Sequence, residues 1–319
     1  MRSYSMAGLL GVALLAAVPC SSQARWFRSD PAAQSIVVNG VTRTFVLHKP
    51  AALKPGPVPL VVALHGGGTN GKSMQRFSGL DEAADRYGFI VVYPDGTGRS
   101  GRFRTWNSGA CDVYARKQNV DDVGFLGALI DHLVQTQGVD PRRVYVTGIS
   151  NGGMMSYRLA AEIPERVAAI AAVAGTLDVP PSSIRQPVPI LHFNGTADEY
   201  VLYEGGHGPK TFSDNDHTSV ADTMAAWVKV NGANPAPKEE LLPDTSDDGM
   251  RVTRYTYSTK TDPRNIVLYR IEGGGHTWPG RPAKIERMLG PATTDISAND
   301  ILWEFFQAHP KVTAESTAK

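Results

Sequence analysis

Cysteine, excess charge and long apolar runs are all scarce in this 319-residue sequence. It has two cysteines, Cys20 and Cys111, and 32 Lys+Arg against 31 Asp+Glu. Each scarcity excludes something. Balanced charge argues against a nucleic-acid or anionic-membrane partner, both of which select clustered basic residues. The longest apolar run, residues 7–18, is shorter than the ~20 residues a spanning helix needs. It follows the lone Arg2 and leads to small residues ending Ser22-Gln23-Ala24. This pattern predicts a signal peptide over 1–24, hence a secreted protein, periplasmic or extracellular, with no stable membrane anchor. Lipidation at Cys20 is the alternative, and Pro19 disfavours it because a small residue is expected beside such a cysteine. The cut removes Arg2 and Cys20, leaving 31 charges of each sign and Cys111 alone. No intramolecular disulfide can then form, although the compartment would permit one. Stability must come from a core, and the remaining 295 or so residues suffice for one large α/β domain over 25–310, with a polar tail at 311–319.

Ile36 to Leu47 reads as two alternating β runs joined by Asn39-Gly40, an antiparallel hairpin. Beyond it come short continuous apolar runs: Leu60 to Leu64, Phe89 to Tyr93, Val144 to Thr147, Val167 to Ala174, Pro189 to Phe193 and Ile266 to Ile271. Runs without alternation are strands buried on both faces. Helical patterns separate them at Leu80 to Tyr87, Val120 to Gln135, Gly153 to Glu162, Ser219 to Val230 and Ala298 to Gln307. The alternation predicts a doubly wound, mostly parallel α/β sheet covered on both sides. Residues 235–249, rich in Pro, Asp and Ser, read as a surface loop before an alternating strand over 250–257.

Chemistry concentrates at Gly148-Ile-Ser-Asn-Gly152, a G-x-S-x-G string between β-branched residues and helix formers. This is the signature of a nucleophile elbow, a sharp strand-to-helix turn with Ser150 at its apex. A serine hydroxyl needs a base and an acid to orient that base. His276 leaves a strand in the glycine-rich loop Glu272 to Gly280 and suits the base, whereas His207, His217 and His309 read as solvated or capping residues. Asp198 follows the strand ending at Phe193 and suits the acid; Asp178, one strand earlier, is the alternative. Oxyanion donors are expected from the amides of Asn151 and Gly67, with Gly68 possible, since His65-Gly-Gly-Gly68 offers amides unobstructed by side chains. Trp106 and Trp278 are candidates for an apolar wall around the acyl group, or for core. Cys111, in a polar loop without an adjacent histidine, reads as a spectator thiol.

Gly66-Gly-Gly-Thr-Asn-Gly-Lys-Ser73 also matches the phosphate-loop pattern G-x-x-x-x-G-K-[ST], so a nucleotide-binding protein is a competing class. An exported location lacks ATP, and Pro94 interrupts the strand that would carry the magnesium ligand.

Seven ordered blocks resemble one family: His65-Gly-Gly-Gly68, Tyr93-Pro-Asp-Gly96, Thr105-Trp-Asn107, Val120-Asp-Asp-Val-Gly-Phe125, Gly148 to Gly153, His192 to Asp198 and Gly274-Gly-His-Thr-Trp-Pro279. Together they are similar to the secreted polyhydroxybutyrate depolymerase and feruloyl esterase group of α/β-hydrolases. The resemblance implies an α/β-hydrolase fold, a serine carboxylic-ester hydrolase, and Ser150, Asp198 and His276 as its triad. Members often have paired cysteines near the Trp-Asn block, which Cys111 alone cannot form. No metal or organic cofactor is expected, and the partner is a small or oligomeric ester. Hydroxyalkanoate oligomers or short-acyl esters are the expected substrates, with feruloyl or acetyl-xylan esters as the alternative and a serine peptidase or inactive relative more remote. The polar end of the chain suggests poor action on crystalline polymer.

Overall fold

The chain enters its sheet through a hairpin. β1 (Ala33–Val38) and β2 (Val41–His48) pair antiparallel across Asn39 and Gly40, whose φ angles of 50° and 77° suit a two-residue turn that matches strand twist. This computed structural model describes Met1 and residues 33–311, apart from 100, 102, 112, 212 and 282–285. The chain divides into residues 1–31 and 32–319, and every described element lies in the second unit. Apart from Met1 the predicted signal peptide lies outside the described residues, as does the tail beyond Lys311.

β2 runs antiparallel to β4 (Ile90–Pro94), and from there six strands are parallel: β4, β3 (Val58–Leu64), β5 (Val139–Ile149), β6 (Ala169–Val173), β7 (Ile190–Gly195) and β10 (Ile266–Glu272). β9 (Arg251–Tyr257) and β8 (Lys238–Leu241) complete the far edge in antiparallel pairing. The order is β1-β2-β4-β3-β5-β6-β7-β10-β9-β8.

All seven residues of β3 are buried, with Leu60, Val62 and Leu64 entering one apolar layer and Val61 and Ala63 the other. The continuous apolar runs therefore have the cause the sequence suggests: side chains alternate between two dry faces. α4 (Asp122–Gln137), α5 (Asn151–Glu162) and α6 (Val220–Asn231) supply one layer; α1 (Gly71–Ser78), α2 (Leu80–Tyr87) and α8 (Ala298–Ala308) supply the other. Short helices α3 (Tyr114–Lys117) and α7 (Glu286–Leu289) lie in loops. No described helix is long and apolar enough to cross a membrane.

Two elements depart from the sequence reading. β8 lies inside the stretch expected to be loop; as an edge strand with Lys238 and Glu239 exposed, it carries no apolar signal. The segment from Gly71 opens α1, where Asn70 accepts from the Ser73 amide at 2.9 Å and Gly79 ends the helix in the left-handed region.

Candidate active site

β5 ends at Ile149 and α5 begins at Asn151, so the whole reversal falls on Ser150. Its φ is 57° and ψ −126°, a strained conformation for a residue with a β-carbon. The flanking glycines are required by contact. A β-carbon at Gly152 would stand 2.4 Å from the Leu64 carbonyl oxygen and 2.6 Å from that of His65, and one at Gly148 would stand 2.5 Å from Gly152 backbone. Strand, serine and helix can approach this closely only without those side chains.

Because β5, β6, β7 and β10 are neighbours in parallel, the segments that follow them emerge at one carboxyl edge. Asp198 lies beyond β7 and His276 beyond β10. The His276 Nδ1 is 2.7 Å from Asp198 Oδ2, and a carboxylate only accepts, so Nδ1 carries a proton and in the neutral ring Nε2 is the acceptor. The other carboxylate oxygen, Oδ1, accepts from the Tyr200 and Val201 amides at 2.8 and 3.0 Å. The Tyr200 ring lies 4.9 Å from the imidazole, and the His276 amide donates to Leu289 at 2.6 Å. Met154, one helical turn beyond Ser150, packs with Tyr200 and Val201. Ser150 and His276 share no hydrogen bond among the described residues; such contacts often close only with substrate bound.

The loop after β3 crosses directly over the elbow, and a β-carbon on Gly66 would meet the Ser150 β-carbon at 3.5 Å. Its His65 is fully buried. Nε2 accepts from the Gly96 amide at 3.0 Å, so Nδ1 is the protonated nitrogen and donates to Gly66 O at 2.8 Å. Burial holds this imidazole neutral, pushing its pKa down to about 4. Thr69 Oγ1 donates to the same Gly66 carbonyl at 2.8 Å. That carbonyl shares a rigid peptide plane with the Gly67 N–H, whose direction is thereby set. The Gly68 amide donates to Arg104 O at 2.8 Å. Gly68 is therefore occupied as a donor, while the amides of Gly67 and Asn151 have no partner among the described residues. As the first residue of α5, Asn151 also presents the positive end of the helix.

Several expectations need correction. Of the two readings open for Trp106 and Trp278, burial favours core over an acyl wall: the Trp106 indole donates to His65 O at 3.0 Å, and the Trp278 indole to Asn299 Oδ1 at 2.9 Å. Asp178 accepts from the Cys111 amide at 2.6 Å and Ser108 Oγ at 3.0 Å, so its carboxylate is committed to the 108–111 loop while His276 bonds Asp198. Cys111 is buried. His217 is buried as well, with Nδ1 4.0 Å from Asp178 Oδ1, so it is not a solvated residue. His309 does act as a cap, donating from Nδ1 to Phe305 O at 2.6 Å. At the phosphate-loop match, Asp95 Oδ1 accepts the Gly71 amide at 2.9 Å, placing a carboxylate where a phosphate would sit. Among the described residues no group of three or more His, Cys, Asp or Glu is placed to hold a metal ion.

The sequence reading missed why the Trp-Asn block and the 120–125 block occur together. Asp122 is buried, takes Arg43 at 2.7 Å on one oxygen and the Asn107 amide at 2.8 Å on the other, and Asn107 Nδ2 donates to Val120 O. Only the fold brings these partners into reach.

Known proteins share this architecture. The family model described as "Esterase PHB depolymerase" matches residues 43–188, a span that includes Ser150. The putative esterase NocK of Nocardia uniformis subsp. tsuyamanensis is 34% identical, covering 83% of this chain and 81% of its own length. The bifunctional acetylxylan esterase/xylanase XynS20E of Neocallimastix patriciarum is 30% identical over 83% of this chain, which spans only 33% of that larger protein. Among solved structures, acetyl xylan esterase from Aspergillus awamori superposes with a TM-score of 0.61 at 19% identity, covering 86% of this chain and 98% of its own. The chain has the α/β-hydrolase fold and belongs to the esterase PHB depolymerase family.

Proposed function

We propose that the protein hydrolyses carboxylic esters through a Ser150–His276–Asp198 triad and an acyl-enzyme. The observation that carries this reading is the Asp198 carboxylate on His276 Nδ1, which leaves Nε2 as a base on the same sheet edge as the strained serine. Ser150 Oγ attacks the ester carbonyl as its proton passes to Nε2, and the carbonyl electron pair moves to the oxygen between the Gly67 and Asn151 amides. Collapse breaks the bond to the alcohol oxygen, which leaves with the proton from the imidazolium. Water repeats the sequence on the acyl-serine, releasing the carboxylic acid and restoring the Ser150 hydroxyl.

For the substrate we favour hydroxyalkanoate oligomers or short-acyl esters, in keeping with the family description. The likeness to an acetylxylan esterase favours acetyl-xylan esters as the second reading. Both indoles are buried, which weighs against an aromatic wall for a feruloyl group. Initial rates on a hydroxybutyrate trimer, acetylated xylan and methyl ferulate separate these readings. Trimer or acetyl ester should lead; methyl ferulate ahead by tenfold would move the assignment to feruloyl esterase. We also place the protein outside the cytoplasm, on the pattern of residues 1–24. N-terminal sequencing of protein recovered outside the cytoplasm should begin at Arg25, and a chain retaining Met1 would contradict export by cleavage.

A further inference from the structure

The two oxyanion donors stand on different elements, Gly67 in the loop after β3 and Asn151 at the head of α5, and an intervening segment ties them together. The Asn151 carboxamide is buried and fully paired. Its Oδ1 accepts from the Trp106 amide at 2.7 Å, while Nδ2 donates to Trp106 O at 3.0 Å and to Ser108 Oγ at 3.1 Å. This grip on both polar groups of one residue is what a neighbouring strand would provide, and it fixes which end of the amide is oxygen. Ser108, accepting from Asn151, donates its own proton to Asp178 Oδ2 at 3.0 Å, where the Cys111 amide also donates. At the other end the Trp106 indole donates to His65 O, and its ring lies 4.9 Å from the His65 ring. Asp178, Ser108, Asn151, Trp106 and His65 thus form one continuous hydrogen-bonded chain, all of it buried.

We propose that the Asn151 side chain, gripped by Trp106 and Ser108 and anchored on Asp178, is a positioning group that fixes the separation and aim of the Gly67 and Asn151 amides. The inference rests on the oxyanion role assigned to those amides above. The amide of Asn151 faces the substrate oxygen while its side chain holds the segment that restrains His65, so one residue couples both donors. Losing the chain loosens the donors without touching Asp198 or His276. A transition state that needs both donors within a few tenths of an ångström is then penalised, while ground-state ester binding is not.

The test compares Asn151→Ala, Ser108→Ala and Ser108→Thr with wild type, measuring kcat and KM on p-nitrophenyl butyrate, affinity for a trifluoromethyl ketone, and thermal unfolding. The ketone carbon bonds to Ser150 Oγ as the serine proton moves to His276, leaving its oxyanion facing the two amides. Asn151→Ala should lower kcat about 100-fold and Ser108→Ala about 10-fold, with KM within about twofold and ketone affinity weakened in step with kcat. Ser108→Thr keeps the hydroxyl and should restore most of the loss. Folded variants that melt earlier but keep wild-type kcat and ketone affinity would overturn the proposal, as would a loss confined to KM. Should Asn151→Ala fail to fold, the Ser108 pair decides alone. A wild-type protein inert toward every ester and toward the ketone would instead remove the esterase mechanism itself, a separate result.

Discussion

His276 Nδ1 lies 2.7 Å from Asp198 Oδ2, and the second oxygen of that carboxylate is held by two backbone amides. The aspartate is thus fixed before it fixes the histidine. Asp198→Asn presents an amide that can donate to Nδ1 and so favours the wrong tautomer, with the proton on Nε2. Turnover should fall by about 10⁴-fold with little change in fold. Asp178→Asn, whose oxygen still accepts from Ser108 or Cys111, should cost far less. Steady-state kinetics on one soluble ester check the ranking, and the reverse order would transfer the acid role to Asp178.

Stability should fall on acidification, for reasons that can be assigned. Burial pushes both His65 and His192 down to about 4. Unfolded imidazoles titrate near 6.5, so between pH 6.5 and 4 the unfolded chain takes up protons that the folded chain refuses. Their contribution is complete above pH 6.5 and lost toward pH 4, at about 1.4 kcal/mol per pH unit for each unmatched proton. Asp178 acts in the opposite sense. Burial pushes it up to about 6, so from pH 6 down to about 4 the folded state holds a proton the unfolded state lacks, and acid stabilises it. Burial also lowers His217 and raises Asp122, so three histidines stand against two aspartates. Urea midpoints should therefore drop from pH 7 to 4.5, and drop more steeply in Asp178→Asn; a shallower slope in that variant would contradict the assignment.

Gly152 and Gly67 should respond oppositely to a methyl group. At Gly152 the added β-carbon meets two backbone carbonyls at 2.4 and 2.6 Å, so the end of β3 and the loop after it must move. Gly152→Ala should lose about 1–3 kcal/mol of stability and most of its turnover. At Gly67 the nearest atom is the Asn151 β-carbon at 3.7 Å, an ordinary contact, and Gly67→Ala should fold normally. Paired melting curves decide; equal destabilisation would mean the loop does not cross the elbow as described.

Elements with an internal period or a special backbone were legible in the sequence. The elbow announces itself because Gly148, Ser150 and Gly152 each meet a steric demand, and α2 follows the predicted Leu80 to Tyr87. Partners distant along the chain were not. Whether Gly67 or Gly68 offers a free amide depends on the carbonyl of Arg104, and the fate of the Trp106 ring on His65. An aromatic residue in an aperiodic loop gives no sign of which way it faces. The sequence around Asn151 points to its amide, and nothing local to it indicates that its side chain grips Trp106, 45 residues away.

The most direct test of the central claim is to find the nucleophile chemically. Wild-type protein treated with a fluorophosphonate should gain one phosphonyl group as fluoride leaves, lose ester hydrolysis in proportion, and carry the label on Ser150 in peptide mass spectra. Ser150→Ala should fold, take no label, and hydrolyse esters on the order of 10⁴-fold or more slowly. A label on another residue, or substantial hydrolysis by Ser150→Ala, would contradict the account.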